Sequence, residues 1–380
     1  MPNMLNLDEK AVKNNLSTFQ IDIKNLFDAW KSAASIPAEN AFPIDMFNAL
    51  REIGALNALL SHEEGGLDLC RTSEGGRVLL TLLRRTGYAS LSLGRCLEGH
   101  VNVIRLVELY GNSEQRCKLA QSLQRGILAG IWVTDGTPPV TIEHERRHYR
   151  LAGIKGFASG VAHVRLALIT ATTQQGHSIM VLAPTDGAER RLLGPGKLMG
   201  MQASGTGGYD FTDVVISPDN ILGSARDYLR QPEFSAGAWR GSAVALGGMD
   251  RLIDLLRQEL LDRGRANNPH QLHRIGEALT LQKTASMWVK EAAKVAYTAN
   301  MEPESVVATV NLARIAVERA ALELITLVQR SLGVSAFVKG KAIELVMRDL
   351  MTYLRQPAAD EALTEAAMWF VNHDWPGEDA

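Results

Sequence analysis

Cysteine is scarce in this chain: Cys70, Cys96 and Cys117 are the full set among 380 residues, and no two have the spacing of a metal-binding pair. So sparse and odd a set excludes a disulfide framework and points to reduced thiols. A strong charge of one sign is also missing. The 40 Lys and Arg nearly balance 42 Asp and Glu, for a formal net charge of −2, which gives no nucleic-acid footprint. The short basic run Arg146-Arg147-His148-Tyr149-Arg150 is expected to be a solvated strand entry. The first fifteen residues are polar and lack the basic-then-apolar layout of a secretory leader. No uninterrupted apolar run reaches the length that crosses a bilayer. Internal repeats and low-complexity segments are absent as well. These absences together predict a soluble, cytoplasmic protein with neither nucleic acid nor membrane as a partner.

What is present is periodicity, and it changes twice. In residues 45–60, Met46, Phe47, Leu50, Ile53 and Leu56 recur at helical spacing, with Pro43 at the start, where a missing N–H costs little. A loop follows at Glu63-Glu64-Gly65-Gly66-Leu67. Helical patterns resume over 73–88, 92–110 and 113–125, the last opened by Asn112-Ser113-Glu114-Gln115. From about Gly126 the period shortens and turn residues multiply. Residues 131–134, 149–154, 165–170, 178–183 and 209–216 each suit a strand, in the manner of a small barrel or sandwich. After Phe234 the helical period returns over 242–263, 276–300, 305–332, 342–355 and 358–370, which predicts an antiparallel bundle. The fold class expected is mainly α with a central β-domain. It comprises an N-terminal helical domain (1–125), a middle β-domain (126–232) and a C-terminal four-helix bundle domain (233–380).

Several short motifs fall in order along this framework. They are Phe42-Pro43 with Glu63-Glu64-Gly65-Gly66-Leu67; His100 with Tyr110-Gly111-Asn112-Ser113-Glu114-Gln115; Trp132-Val133-Thr134-Asp135-Gly136; Leu151-Ala152-Gly153-Ile154-Lys155; and Met199-Gly200-Met201-Gln202-Ala203-Ser204-Gly205-Thr206, continuing to Phe211-Thr212-Asp213-Val214 and Pro218-Asp219-Asn220-Ile221-Leu222-Gly223. In this order and spacing the chain resembles the acyl-CoA dehydrogenase superfamily nearly end to end.

The resemblance implies a flavin, FAD in the first instance, with reduced FMN or FAD as a co-substrate in the alternative. An isoalloxazine ring needs a flat apolar slot and a few polar groups at its edge. By the resemblance Thr134 meets that edge and Ile131 and Val133 supply backbone or packing contacts. Phe157 stands where the family has a ring-packing tryptophan, and Ser159 where it has a threonine. Arg265 matches an arginine that reaches the FAD pyrophosphate across a subunit interface, a role suited to a guanidinium fork. Gln329 and Gly333 match residues that line the adenosine portion from a neighbouring subunit. The plain alternatives are a strand-end threonine, a core phenylalanine, a loop serine, a helix-surface amide and a helix C-cap glycine. The two long apolar helices and the resemblance together imply a homo-oligomer, a dimer of dimers.

The pattern breaks at the chemistry. Removal of an α-proton from a thioester needs a carboxylate base. In the family a glutamate follows an Arg-Asp pair, here Arg348-Asp349, yet Pro357 occupies the glutamate's place. The other position used for the base falls in Ala236-Gly237-Ala238-Trp239-Arg240-Gly241, which has no carboxylate. Asp360 and Glu361 are the displaced candidates, with helix N-terminal charges as the alternative reading. Thr137-Pro138-Pro139-Val140 replaces the family's Gly-Ser-Asp, and Gln202 stands for a frequent arginine. The first expectation is an FAD-dependent oxidoreductase acting on a small molecule, an acyl thioester such as an acyl-CoA or a related carbonyl compound. The alternatives are a two-component flavin monooxygenase on the same fold and a non-catalytic paralogue acting as an assembly partner.

Overall fold

The computed structural model describes residues 3–32 (3–14 by backbone alone), 38–192 and 198–373. Among these residues the α-helices α1 (Asn3–Ser32), α2 (Ile44–Glu52), α3 (Ser73–Ala89), α4 (Leu91–Tyr110) and α5 (Ser113–Gln124) come first. Among the described residues ten strands follow: β1 (Leu128–Trp132), β2 (Thr141–Glu145), β3 (His148–Ala152), β4 (Ile154–Ala158), β5 (Val164–Thr173), β6 (Ser178–Pro184), β7 (Arg191–Leu192), β8 (Gly207–Asp210), β9 (Val214–Ile216) and β10 (Ile221–Leu222). The rest is helical: α6 (Glu233–Ala236), α7 (Trp239–Asp262), α8 (Pro269–Val295), α9 (Pro303–Leu332), α10 (Ala342–Tyr353) and α11 (Ala359–Val371). The helix–strand–helix order is the one the periodicity implies. The chain divides into two compact units, residues 1–79, 95–197 and 202–229 in the first, and 80–94, 198–201 and 230–380 in the second.

In the first unit one sheet runs β10-β6-β5-β2-β3-β9, with β1 added in parallel on β5, and a second runs β4-β8-β7. The sequence reading missed β2 because Thr141-Ile142-Glu143-His144-Glu145 buries only Ile142, so its apolar alternation is too sparse to register. The expected strand over 149–154 is two strands. Gly153, at φ +109 and with Pro139 O 2.2 Å from where a Cβ would sit, turns the chain from one sheet to the other. The basic run lies at the β2–β3 hairpin, where Arg150 donates to Glu145 at 2.7 and 3.1 Å. Asn112 caps α5 and Gln115 closes the reciprocal capping box.

In the second unit α7, α8 and α9 pack on one another, with α10 on α7 and α11 on α9. Leu246, Met249, Leu252, Leu256 and Leu260 form the fully turned-in stripe of α7. Its other side meets the end of α3 at van der Waals limits: a Cβ on Gly247 would lie 2.0 Å from Arg84 O. The carboxylate of Asp250 locks that crossing, accepting from Arg84 at 2.6 and 3.0 Å and from Gln282 at 2.8 Å. Helix α8 starts seven residues before its expected position because Asn268 caps it and Pro269 supplies a ready-made first turn. Residues 303–337 are long and apolar enough to cross a bilayer by length and composition, and half of that window is buried in the bundle.

Candidate functional site

Strand β1 and the residues just after it carry the first group of candidate residues, Ile131, Val133 and Thr134. Among the described residues it pairs only with β5, so its other edge is left without a strand. The strand is anchored from inside by His100, which is fully buried on α4. Its Nδ1 accepts from Ala129 N–H at 3.0 Å, which leaves Nε2 to face Leu56 O at 3.4 Å. Burial pushes the imidazole pKa down to about 4, so the ring is neutral at physiological pH. A depressed histidine pKa makes the unfolded state the better proton acceptor between the two values. Stability from this group is therefore complete above about pH 6.5 and declines as pH falls toward 4. We expect a loss of about 2 kcal/mol by pH 5. Urea titrations of the wild-type protein and of His100→Gln at pH 7 and pH 5 check this, since only the wild type should carry the slope.

Beyond β1 the chain is held by Lys155, a residue the sequence reading quoted in a motif without giving it a task. Its side chain is 0 % exposed, and Nζ donates to Asp135 Oδ1 at 2.6 Å, Val133 O at 3.2 Å and Thr170 Oγ1 at 3.2 Å. Burial lowers its pKa and Asp135 opposes that. Gly156 N–H donates to Thr134 O at 2.9 Å and Gly136 N–H to Ile154 O at 2.7 Å, so the segment after β1 continues along β4. Thr134 is exposed, and Ile131 and Val133 are half-buried.

Phe157 and Ser159 stand on and just after β4. The Phe157 ring is 47 % exposed, which is not how a core phenylalanine sits. The Ser159 carbonyl accepts from the indole of Trp132 at 3.0 Å. The Ser159 hydroxyl accepts from Thr206 Oγ1 at 3.3 Å, and Thr206 Oγ1 shares a 2.8 Å hydrogen bond with Ser204 Oγ. Ser204 and Thr206 were visible in the sequence only as parts of the Met199–Thr206 motif. In the first unit Ile131 lies on β1 with Val133 and Thr134 after it, and Phe157 and Ser159 lie on and just after β4, the two segments being joined through Lys155 and the Gly156–Thr134 hydrogen bond.

The second unit gathers the other three. Gln271, in the first turn of α8, donates to Ser331 O at 3.1 Å, and Arg263, at the end of α7, donates to Ser335 Oγ at 2.9 Å. These bonds bring the α7–α8 corner, with Arg265, beside the end of α9, with Gln329 and Gly333. The Arg265 side chain is exposed and makes no hydrogen bond or ion pair among the described residues. Gly333 has φ +62 and ψ −145, and nothing lies within 4 Å of where its Cβ would be. A charged fork, an amide and an open glycine backbone at one corner suit a phosphate-bearing ligand.

The second unit also shows what the Arg348-Asp349 pair does. Arg348 holds Glu344 at 2.7 and 3.1 Å and donates to Met199 O at 2.8 Å, while Asp349 accepts from Met201 N–H at 2.6 Å. Gly200 lies so close that a Cβ would sit 2.3 Å from Arg348 O. The pair pins residues 198–201 to α10. Pro357 lies in the loop after α10, where its carbonyl accepts from Arg314. Asp360 and Glu361 are exposed in the first turn of α11, the favourable end of the helix for negative charge. In the first turns of α7, Trp239 and Arg240 are both buried. No carboxylate occupies either of the two positions from which the resemblance derives a base.

No family model matches this chain. Dibenzothiophene monooxygenase of Rhodococcus erythropolis is 26% identical over 196 residues, 47% of this chain and 45% of that protein. The mitochondrial very long-chain specific acyl-CoA dehydrogenase of Macaca fascicularis is 26% identical over 337 residues, 80% of this chain and 49% of that protein. The chain thus spans about half the length of the curated relatives it matches. Among solved structures, FMN-bound TdsC from Paenibacillus sp. A11-2 superposes with a TM-score of 0.78 at 20% identity, covering 97% of this chain and 98% of that one. Glutaryl-coenzyme A dehydrogenase in complex with glutaryl-CoA gives 0.82 at 18% identity, covering 94% and 95%. The chain has the fold of these acyl-CoA dehydrogenases and monooxygenases. The proteins it resembles include acyl-CoA dehydrogenases and monooxygenases, and the TdsC structure holds FMN.

Proposed function

We propose that this chain is a flavin-dependent monooxygenase that takes reduced FMN or FAD as its co-substrate and acts on a small organic molecule. One observation carries the reading: the two positions that would supply a dehydrogenase base hold Pro357 and the Trp239-Arg240 pair. Without a base over the α-carbon, a thioester keeps its proton. Oxygen transfer has no such requirement. A reduced flavin bound here would supply two electrons to dioxygen, so that with two protons one oxygen atom would go to the substrate and the other would leave as water. The likeness to dibenzothiophene monooxygenase and to FMN-bound TdsC is in keeping with this choice, but the likeness to dehydrogenases is as great, so the choice rests on the missing base.

The residues present fit a flavin. Phe157 offers an exposed ring face and Thr134 an exposed hydroxyl beside the open edge of β1. Lys155 keeps the Thr134 segment in place, and Arg265 with Gly333 would take the phosphate end from a neighbouring subunit. Arg265→Ala should weaken flavin binding by about 2 kcal/mol, the loss of a charge-assisted contact. Titration of the purified protein with FMN and with FAD, followed by flavin fluorescence, reads this directly. Unchanged affinity would make Arg265 a surface charge. A larger loss for FAD than for FMN would identify the pyrophosphate as its target.

The same reading includes assembly as a dimer of dimers. Leu272, Leu279 and Met287 on α8, and Val334, Phe337 and Val338 after α9, are exposed apolar side chains. Burial of such residues between subunits is the ordinary way to remove them from water. Light scattering at micromolar concentration should give at least a dimer, and a monomer would count against it.

A further inference from the structure

Helix α9 ends at Gly333, whose φ of +62 turns the chain into a short 3-10 turn (Gly333–Phe337). A helix end leaves its last carbonyls without partners inside the helix. The turn has little apolar anchorage of its own, since Val334 is 84 % exposed and Phe337 59 %. Three side chains from elsewhere in the second unit hold it instead. Gln271, buried in the first turn of α8, donates to Ser331 O at 3.1 Å. Arg263, at the end of α7, donates to Ser335 Oγ at 2.9 Å, and that hydroxyl donates in turn to Leu332 O at 2.8 Å. Glu259, one turn earlier on α7, accepts from Arg263 at 2.5 Å and pairs at 3.5 Å with Lys341, the residue before α10. Gly333 is thus held on both sides, by Gln271 through Ser331 and by Arg263 through Ser335.

Both holds start from the corner that carries Arg265. Gly264, at φ +63, lets Arg265 N–H return to Leu260 O at 2.8 Å, and Arg265 O accepts from Asn268 N–H at 3.1 Å. Arg265 therefore lies in the chain between the residue that grips Ser335 and the one that grips Ser331. The charge of Arg263 is already matched by Glu259. The Arg265 guanidinium is exposed and has no such match among the described residues, so it is the one available to a phosphate. We infer that Arg263 and Gln271 are positioning residues for the phosphate end of the flavin. They fix the Gly333 turn relative to Arg265, so that the guanidinium and the open glycine backbone meet one phosphate together. A contact made at two points binds well only if both points are set before the ligand arrives. The inference rests on the flavin reading for its ligand, and it concerns residues separate from Thr134, Phe157, Ser159 and Arg265.

FMN and riboflavin, which differ by the phosphate, separate positioning from folding when each is titrated into the full chain by flavin fluorescence. We expect the wild type to bind FMN about 30-fold more tightly than riboflavin, the scale of a charge-assisted contact. In Arg263→Met that preference should fall about fivefold, with riboflavin affinity unchanged, and Arg263→Lys should recover part of it. Gln271→Leu should act in the same direction. Combined with Arg265→Ala, Arg263→Met should remove little more than Arg265→Ala does alone, because both act on one contact. Melting curves show which variants are folded, and should Arg263→Met not fold, Gln271→Leu carries the same expectation. Equal losses of FMN and riboflavin affinity would show a loosened bundle and overturn the inference, as would fully additive losses in the double variant. A preference that survives Arg263→Met and Gln271→Leu but not Arg265→Ala overturns the positioning role and leaves the phosphate corner standing. A wild type that binds FMN no better than riboflavin overturns the corner itself, and the inference with it.

Discussion

Mixed without oxygen with butyryl-CoA or glutaryl-CoA, the flavin-loaded protein should bleach at least about 100-fold more slowly than a dehydrogenase of this fold, because general-base catalysis contributes roughly a hundred- to ten-thousand-fold. The argument is positional. The α10–α11 loop presents Pro357, which has no acid–base group at all, with its carbonyl held by Arg314. The first turns of α7 present Trp239 and the cation Arg240, which cannot accept a proton at neutral pH. Asp360 and Glu361, the nearest acids in sequence, are solvated charges at the head of α11. Stopped-flow absorbance of the flavin band measures the rate. Rapid bleaching would restore the dehydrogenase reading, and Asp360→Asn and Glu361→Gln would then show whether either acid is the base.

The second large effect is expected at Lys155. Lys155→Met keeps the length of the side chain and removes its charge. Val133 O and Thr170 Oγ1 would then lose a donor, and Asp135 would lose its cation. Breaking a buried pair from one side costs roughly 3 to 5 kcal/mol when the remaining charge is sealed in. Asp135 is 38 % exposed and can recover water, so about 2 to 3 kcal/mol is the expected loss here. Flavin binding should fall further than stability alone explains, because the segment carrying Thr134 is set by the same ammonium. Chemical denaturation and an FMN titration on the folded variant separate the two effects. A variant as stable as the wild type, with full FMN affinity, would show that Lys155 positions nothing.

Much of the architecture was legible because helices and strands write different periods into a sequence. The change from period 3.6 to short alternation and back places the helical, β and helical stretches, and the capping residues of α5 gave its start to the residue. Boundaries failed where one residue overrides the pattern. Gly153 splits a strand, Asn268 and Pro269 lengthen α8 toward its N-terminus, and a sparse Glu-His-Glu strand hides β2. The site divides in the same way. Thr134, Phe157 and Arg265 could be proposed because a resemblance drew attention to them. Their exposure then distinguishes them from a buried core residue or a paired charge. Lys155 could not be given its task from sequence, since its three acceptors come from residues 133, 135 and 170 and meet only after folding. Likewise, the Arg348-Asp349 pair looked like a marker for catalysis. It is the clamp on Met199–Met201, and only the backbone groups it holds make that plain.

The central claim is that this site transfers oxygen from a reduced flavin and does not dehydrogenate a thioester. Isotopic labelling tests it most directly. The protein is supplied with chemically reduced FMN, isotopically heavy dioxygen and a panel of small aromatic and carbonyl compounds, and the organic products are examined by mass spectrometry. The account predicts a product carrying one heavy oxygen atom, formed only when protein and reduced FMN are both present. Unlabelled organic material throughout, from a protein whose bound flavin is reduced promptly by an acyl-CoA, would contradict it.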